Sequence, residues 1–381
     1  MKKPRVLLIT FDFPPIISGI ATVFYNIWRF LPSQDYFILA PKIGKYKEFD
    51  RYSNLRMRRY FVFSQSRIFR AITLFLYALR LIIQERIKLL ICAVPLSAGF
   101  VGFMFKKMTG MPYCVFYYGG EFKKYRKRKN IIKLLRLILN NAHFILSISE
   151  YAAQEAGSLG VDKRKIVKLT PGVDIERFHP GLNCSYLRVR FGLENKKIIL
   201  TVSRLVRRKG IDIVINALPR IIKEIPNIAY LIIGKGEQES FLKKLVAEKA
   251  LEKNVVFIGA VPDEELPKYY NLCDAYVMPN RETEGAETLE GFGISFIEAS
   301  ACAKPAIGGI SGGASEAVLD GRTGLLVDPE DFDAFVSTLI RILKDGGYAA
   351  ALGRYGRERV EKEFTWQTRA ERLENLFHLF I

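Results

Sequence analysis

Arg281-Glu-Thr-Glu-Gly-Ala-Glu-Thr-Leu-Glu290-Gly-Phe-Gly-Ile-Ser-Phe-Ile-Glu298-Ala-Ser-Ala-Cys-Ala-Lys-Pro-Ala-Ile-Gly-Gly-Ile-Ser311-Gly-Gly-Ala-Ser-Glu316 is the stretch around which the chain is organised. An acidic, glycine-containing loop runs into an apolar segment, residues 294–303, of helix-forming composition. Glu290 and Glu298 stand eight residues apart. Were the whole interval helical, they would be separated by about 12 Å of rise and about 80° of rotation, on roughly one side. The N–H groups of Phe292, Gly293 and Ile294 would then be free at the helix start, where a phosphate is well held. Carboxylate, amide nest, carboxylate is a pattern that suits a diphosphate flanked by two sets of sugar hydroxyls.

Outward from this stretch the chain alternates. Short continuous apolar runs of the buried parallel-strand kind lie at residues 5–10, 36–40, 89–93, 113–117, 144–148 and 166–169. A second series follows at residues 197–203, 228–234, 255–261, 274–279, 306–309 and 321–327. Helical patterns between them predict two parallel sheets covered on both faces. Strand, loop with Gly19, helix at the start is a Rossmann-like opening. The turn-rich Thr170-Pro-Gly-Val-Asp174 reads as the hinge. Domains are therefore expected at residues 1–170, joined by about 364–381, and at 171–363. At 381 residues there is ample core for both.

Glu290 and Glu298 with Ser311-Gly-Gly-Ala-Ser-Glu316 resemble the signature of the retaining glycosyltransferases of family 4. The likeness is greatest to the branch of phosphatidyl-myo-inositol mannosyltransferases, and motifs extend it over essentially the whole chain. That resemblance implies a GT-B fold: α/β, two Rossmann-like domains facing across a cleft, the C-terminal helix crossing back to the first. It implies a hexosyl transfer, mannosyl first, from a GDP- or UDP-sugar to a lipid-linked or glycan acceptor. Arg204 and Lys209 match the family's diphosphate pair, and cations there neutralise charge growing on a leaving group, while the Arg207-Arg208 pair beside them reads as solvent-facing. Catalytic residues on this reading are Glu290, Arg204 and Lys209. The donor would also touch Gly19, Gly234, Val261, Phe292, Gly293, Ile294 and Glu298. The family's first loop usually carries Gly-Gly, and only Gly19, after Ser18, stands here. Where relatives have a histidine that reaches the donor sugar this chain has Tyr118, which either bonds a sugar hydroxyl or only packs. A nucleotide-sugar isomerase on the same fold, or a catalytically silent membrane-bound scaffold, are the alternatives.

The net charge of +19 is unevenly spread. Residues 1–170 hold 30 Lys and Arg against 9 Asp and Glu, and residues 171–381 hold 28 against 30. The densest cluster is Lys123-Lys-Tyr-Arg-Lys-Arg-Lys129, continued by Lys133 and Arg136. Attraction to an anionic phospholipid surface accounts for it better than nucleic acid, because no nucleic-acid-binding motif accompanies it. Residues 68–90 form an apolar pattern broken by charges, that of an amphipathic helix able to press on a bilayer or to cover a sheet. The uncharged run 89–105 is interrupted by Pro95 and two glycines and reads as strand, turn and helix rather than a span. The opening run meets Pro14-Pro15 at once, so no signal peptide is expected.

Five scattered cysteines and three scattered histidines argue for reduced thiols and no zinc. Asp331-Phe-Asp333 has the form of a metal-binding Asp-x-Asp but heads a helix pattern, so capping is expected. No cofactor or metal is expected, and the place is the cytoplasm, peripheral on the inner face of the membrane.

Overall fold

The computed structural model describes residues 4–16, 18–62, 67–283 and 289–380. The chain divides into two compact units, Met1–Pro171 with Trp366–Ile381, and Gly172–Thr365.

In the first unit the apolar runs become β1 (Val6–Ile9), β2 (Tyr36–Pro41), β4 (Leu89–Cys92), β5 (Tyr113–Tyr117), β6 (Ile145–Ser147) and β7 (Ile166–Lys168). An edge strand, β3 (Arg56–Tyr60), joins them, and the order is β3-β2-β1-β4-β5-β6-β7, all parallel. Strand β3 escaped the sequence reading because it is Arg-Met-Arg-Arg-Tyr. An edge strand exposes one flank and tolerates charge, so it lacks the apolar signal of a central one. Arg59 is inward-facing there and its guanidinium is held by Asp50 at 2.6 Å and by the Pro14 carbonyl at 2.8 Å.

Right-handed crossovers decide which helix lies on which face. The steps β3→β4→β5→β6→β7 all run one way across the sheet, placing the Arg67–Glu85, Ala98–Thr109, Lys129–Asn141 and Glu150–Ser158 helices on one face. The steps back from β1 to β2 and β3 place the Gly19–Trp28 and Tyr46–Tyr52 helices on the other. The C-terminal Trp366–Phe377 helix returns to this unit, packing on Gly19–Trp28, with Phe377 5.8 Å from the Tyr36 ring. The run 89–105 is strand, turn and helix, and among the described residues no helix is long and apolar enough to cross a membrane.

The second unit carries β8 (Lys197–Val202), β9 (Ile228–Ile233), β10 (Val255–Gly259), β11 (Ala275–Met278), β12 (Ala306–Gly309) and β13 (Gly324–Val327), in the order β10-β9-β8-β11-β12-β13. Its core joins the inward faces of β8, β9 and β11 to the Ile211–Glu224 and Phe332–Lys344 helices. The order reverses between β8 and β11. The crevice beyond the carboxyl ends of such a pair is where open α/β sheets bind ligands. Asp331 caps the Phe332–Lys344 helix, its carboxylate accepting from the Ala334 N–H at 2.9 Å, and Asp333 pairs with Arg220. The Asp-x-Asp is used locally. All five cysteines are free thiols.

Candidate functional site

Two loops leave the sheet at that reversal. The one after β8 passes through Arg204, takes a single 3-10 turn at Arg207–Lys209 and enters the next helix through Gly210. Gly210 has φ +70°, and a Cβ there would stand 2.1 Å from the Pro279 carbonyl oxygen. Only glycine lets this turn lie against the end of β11. The turn after β9 closes on the same loop: a Cβ on Gly234 would meet the Ser203 carbonyl oxygen at 1.9 Å. The Gly234 N–H donates to the Gly259 carbonyl at 2.8 Å, which brings the loop carrying Val261 alongside.

The second loop follows β11. Buried Asn280 donates to the Ser311 carbonyl at 2.8 Å and accepts from the Gly309 N–H at 3.1 Å, tying the ends of β11 and β12 together. The Arg281 N–H donates to the Arg208 carbonyl at 2.9 Å, and its guanidinium pairs with Asp212 at 2.8 Å. Residues 284–288, the acidic part of the stretch quoted above, lie outside the described residues.

Glu290 then enters the crevice, only 8% exposed. Its Oε2 accepts from Lys209 Nζ and from Arg208 Nη1, each at 2.5 Å. Burial would push this carboxyl up, but the ammonium and guanidinium outweigh it and hold it at about 2. Burial also pushes Lys209 below the ordinary lysine value, a shift Glu290 opposes and the charges of Arg208 and Arg204 reinforce. Arg204 is exposed. It lines a cavity of about 880 Å³ with Arg207, Arg208, Gly236 and Arg281. The Ser-Gly-Gly motif fixes the other side of Glu290. The Gly313 N–H donates to its carbonyl at 2.9 Å, and a Cβ on Gly312 (φ +69°) would lie 2.1 Å from that oxygen.

Glu290 and Glu298 do not share a helix. Gly293 adopts φ +90°, ψ 68° and the helix is Ile294–Ala301, so Glu290 precedes it and the spacing expected of a continuous helix does not apply. Phe292 is buried beneath the turn, and the N–H groups of Ile294 and Ser295 open the helix, the groups a helix leaves without an internal partner. Glu298, one turn in, accepts from the buried Tyr270 hydroxyl at 2.7 Å. Burial raises its carboxyl, while that bond and the Arg177 charge pull it down. The second unit therefore gathers Arg204, Lys209, Glu290 and the Phe292–Ile294 segment around one crevice, with Glu298 further along the same helix. Arg208, read from sequence as solvent-facing with Arg207, is turned inward onto Glu290. Only Arg207 of the pair is exposed. Asn280 and Tyr270 carried no sequence signal: one is a single amide after Pro279, the other the second of a Tyr-Tyr pair.

Gly19 and Tyr118 belong to the first unit. Gly19 is the first residue of its helix, which Ser18 caps by accepting from the Ala21 N–H at 3.0 Å, and open space surrounds its Cα. Tyr118 opens a turn through Gly119 and Gly120, with φ of +80° and +91°. Glu155 clamps the turn, accepting from the Gly120 N–H at 2.7 Å and the Tyr117 hydroxyl at 2.6 Å. The Tyr118 hydroxyl itself is buried with no hydrogen-bond partner among the described residues. Beside it Glu121 is pushed up to about 7, by burial and then by the Glu155 charge. A carboxyl raised in the folded state favours folding while protonated, so that contribution is lost as pH climbs from about 4.5 to about 7. Glu121→Gln should thus melt near the wild-type temperature at about pH 5 and several degrees higher at about pH 8. Thermal unfolding at the two pH values checks this.

Two family models tile the chain. "Glycosyltransferase Family 4" matches residues 17–177, and "Glycosyl transferases group 1" matches residues 187–359. The chain belongs to glycosyltransferase family 4. Among curated relatives, this family 4 chain is 37% identical over 243 residues to the GDP-mannose-dependent alpha-(1-6)-phosphatidylinositol monomannoside mannosyltransferase of Mycolicibacterium smegmatis. It is 36% identical over 245 residues to the enzyme of Corynebacterium glutamicum that acts on the monoacylated monomannoside. Each match covers 64% of this chain and 64% of the relative, just under two thirds of the relative's length. Solved structures extend the likeness in fold. Anabaena HepE in complex with UDP and glucose superposes with a TM-score of 0.84 at 18% identity, covering 98% of this chain and 99% of that one. Sucrose-phosphate synthase of Thermosynechococcus elongatus gives 0.81 at 24% identity, covering 99% of each chain. The fold is GT-B.

Proposed function

We propose that the chain is a retaining glycosyltransferase that moves a hexosyl group, mannosyl first, from a nucleoside-diphosphate sugar to a lipid-linked or membrane-surface acceptor. One observation carries the reading: buried Lys209 and half-buried Arg208 converge on the single carboxylate of Glu290 at the sheet's reversal point, beside a cavity lined by further arginines. Cations held ready by one internal anion suit a ligand that brings two phosphates. The names of the relatives favour GDP-mannose and a phosphoinositide-type acceptor.

On this reading Arg204 and Lys209 hold the diphosphate, the Phe292–Ile294 amides and Glu290 orient the sugar, and Glu298 takes the ribose hydroxyls. Val261 and Gly234 wall the nucleoside. The sugar's anomeric carbon parts from the phosphate oxygen while the acceptor hydroxyl attacks the same face. The departing phosphate oxygen takes that hydroxyl's proton, and the cations neutralise the charge it gains. The reading assigns that neutralisation to side chains and needs neither metal nor cofactor.

A thermal-shift series with GDP, UDP and ADP, run in chelator, tests the donor site. A nucleotide at a hundred times its Kd stabilises by about 2.7 kcal/mol, and GDP is expected to give the largest rise in Tm. No shift with any of the three overturns the reading. Turnover of the nucleotide sugar that needs no acceptor would favour an isomerase instead.

A further inference from the structure

The Gly346–Glu363 helix contributes none of the crevice residues named above, yet it fastens the element that carries Glu298. It lies close along the Ile294–Ala301 helix: a Cβ on Gly353 would stand 2.1 Å from the Ala303 carbonyl oxygen, and one on Gly356 3.1 Å from the Ser300 Cβ. Directly after Gly356, half-buried Arg357 reaches across. Its Nη1 donates to the carbonyls of Phe178 at 2.7 Å, Ala301 at 2.8 Å and Ile175 at 3.3 Å, while Glu361 holds its Nε at 2.6 Å. All of these residues belong to the second unit.

The carbonyls come from two segments far apart in the chain, and both lead to Glu298. Ala301 ends the helix three residues after Glu298, where carbonyls lack an intrahelical partner and a cation is favoured. Phe178 meets the Tyr270 ring edge-on, centroids 5.8 Å apart, and the Tyr270 hydroxyl donates to Glu298 at 2.7 Å. Arg177, beside Phe178, adds the charge that pulls the Glu298 carboxyl down. Any donor could satisfy an open carbonyl. One guanidinium that spans the helix end and the wall behind Tyr270 also fixes the distance between them.

Arg359 supplies a built-in comparison. It sits on the same helix, is held by Glu363 at 2.9 Å, and donates to the carbonyls of Glu316 at 2.9 Å and Ala317 at 3.3 Å. It fastens the end of the Ala314–Ala317 helix instead.

We propose that Arg357 is a positioning residue for Glu298: it sets where that carboxylate meets the ribose hydroxyls of the nucleotide, without touching the ligand itself. The inference deepens the reading of the donor site and rests on its assignment of Glu298 to the ribose.

Calorimetric titration of the full chain with GDP and with dideoxy-GDP, which lacks both ribose hydroxyls, tests it. The ratio of the two affinities reports what those hydroxyls gain from the carboxylate. Wild type is expected to prefer GDP by roughly ten- to hundredfold, the scale of a hydroxyl bonded to a charged group. Arg357→Met should bring that preference to within about threefold. Arg357→Lys keeps the charge and reaches fewer carbonyls, so it should recover part of the preference. Arg359→Met should lower Tm by a similar amount and keep the wild-type ratio. An arginine that serves stability alone would lower Tm and leave the ratio in place. A wild-type ratio in Arg357→Met overturns the proposal, as does an equal collapse of the ratio in Arg359→Met. Should Arg357→Met not fold, a wild-type ratio in Arg357→Lys overturns it. Equal wild-type affinity for the two nucleotides removes Glu298 from the ribose and the proposal with it, while the donor site stands on GDP binding. Failure of wild type to bind either nucleotide strikes the donor site itself.

Discussion

Lys209→Ala is expected to lower transfer by about 10³-fold and nucleoside diphosphate affinity by about 10²-fold. The ammonium is buried, fixed by the Arg207–Lys209 turn and by Gly210, and aimed at the carboxylate that would orient the sugar. A cation placed this way needs no reorganisation when charge develops on a leaving phosphate, and truncation removes it outright. Folding should suffer less than binding. Glu290 keeps Arg208 at 2.5 Å, so its charge is not orphaned, and the cost should be about 1–3 kcal/mol. Lys209→Met keeps most of the packing and separates shape from charge. It should recover stability and none of the affinity. Calorimetric titration with GDP, initial rates and urea midpoints on the three proteins give the comparison. Nucleotide affinity unchanged in both variants would remove Lys209 from the donor site.

The parallel strands were legible because both faces of such a strand are covered, which writes a continuous apolar run into the sequence; β5 and β12 match residue for residue. Strand β3 was not, because pairing on one flank leaves no such run. The site divides along the same line. Glu290 and Glu298 stood out by their spacing, whereas Arg204 and Lys209 were legible only through the family resemblance. The partner of each glycine was not legible, since Gly210 against Pro279 and Gly312 against Glu290 are contacts between segments far apart in the chain. Arg208 was misread for a related reason. In Arg-Arg-Lys every residue carries the same charge, and only the 3-10 turn decides that 208 and 209 point inward while 207 points out. The helical spacing expected of Glu290 and Glu298 fails at Gly293, whose left-handed backbone starts the helix four residues after Glu290. The amphipathic pattern of residues 68–90 was legible, but packing alone settles which side faces the sheet: Leu74, Ala78 and Leu81 are buried, while Phe69, Ile72, Leu76 and Ile83 are exposed.

Glu290→Gln should separate two functions that Lys209→Ala removes together. The amide keeps the side chain's shape and an acceptor oxygen but loses the charge that neutralises Lys209 and Arg208. A diphosphate arriving at the wild-type site must share those cations with the carboxylate. In the variant it meets them unopposed, so GDP should bind as tightly as to wild type or up to about tenfold tighter. Transfer should nonetheless fall by about 10²–10³-fold, because the group that orients the sugar has lost its charge. Stability should fall by about 3 kcal/mol at neutral pH, since a buried ammonium and a half-buried guanidinium lose their anion. The sign with pH follows from the carboxyl's fall to about 2 in the folded protein. Its stabilising contribution is complete above about pH 4.5 and is lost as pH falls through about 2, so the two proteins should differ most at neutral pH and converge in acid. Urea midpoints between these limits measure the convergence, and a variant with normal turnover would refute the role given to Glu290.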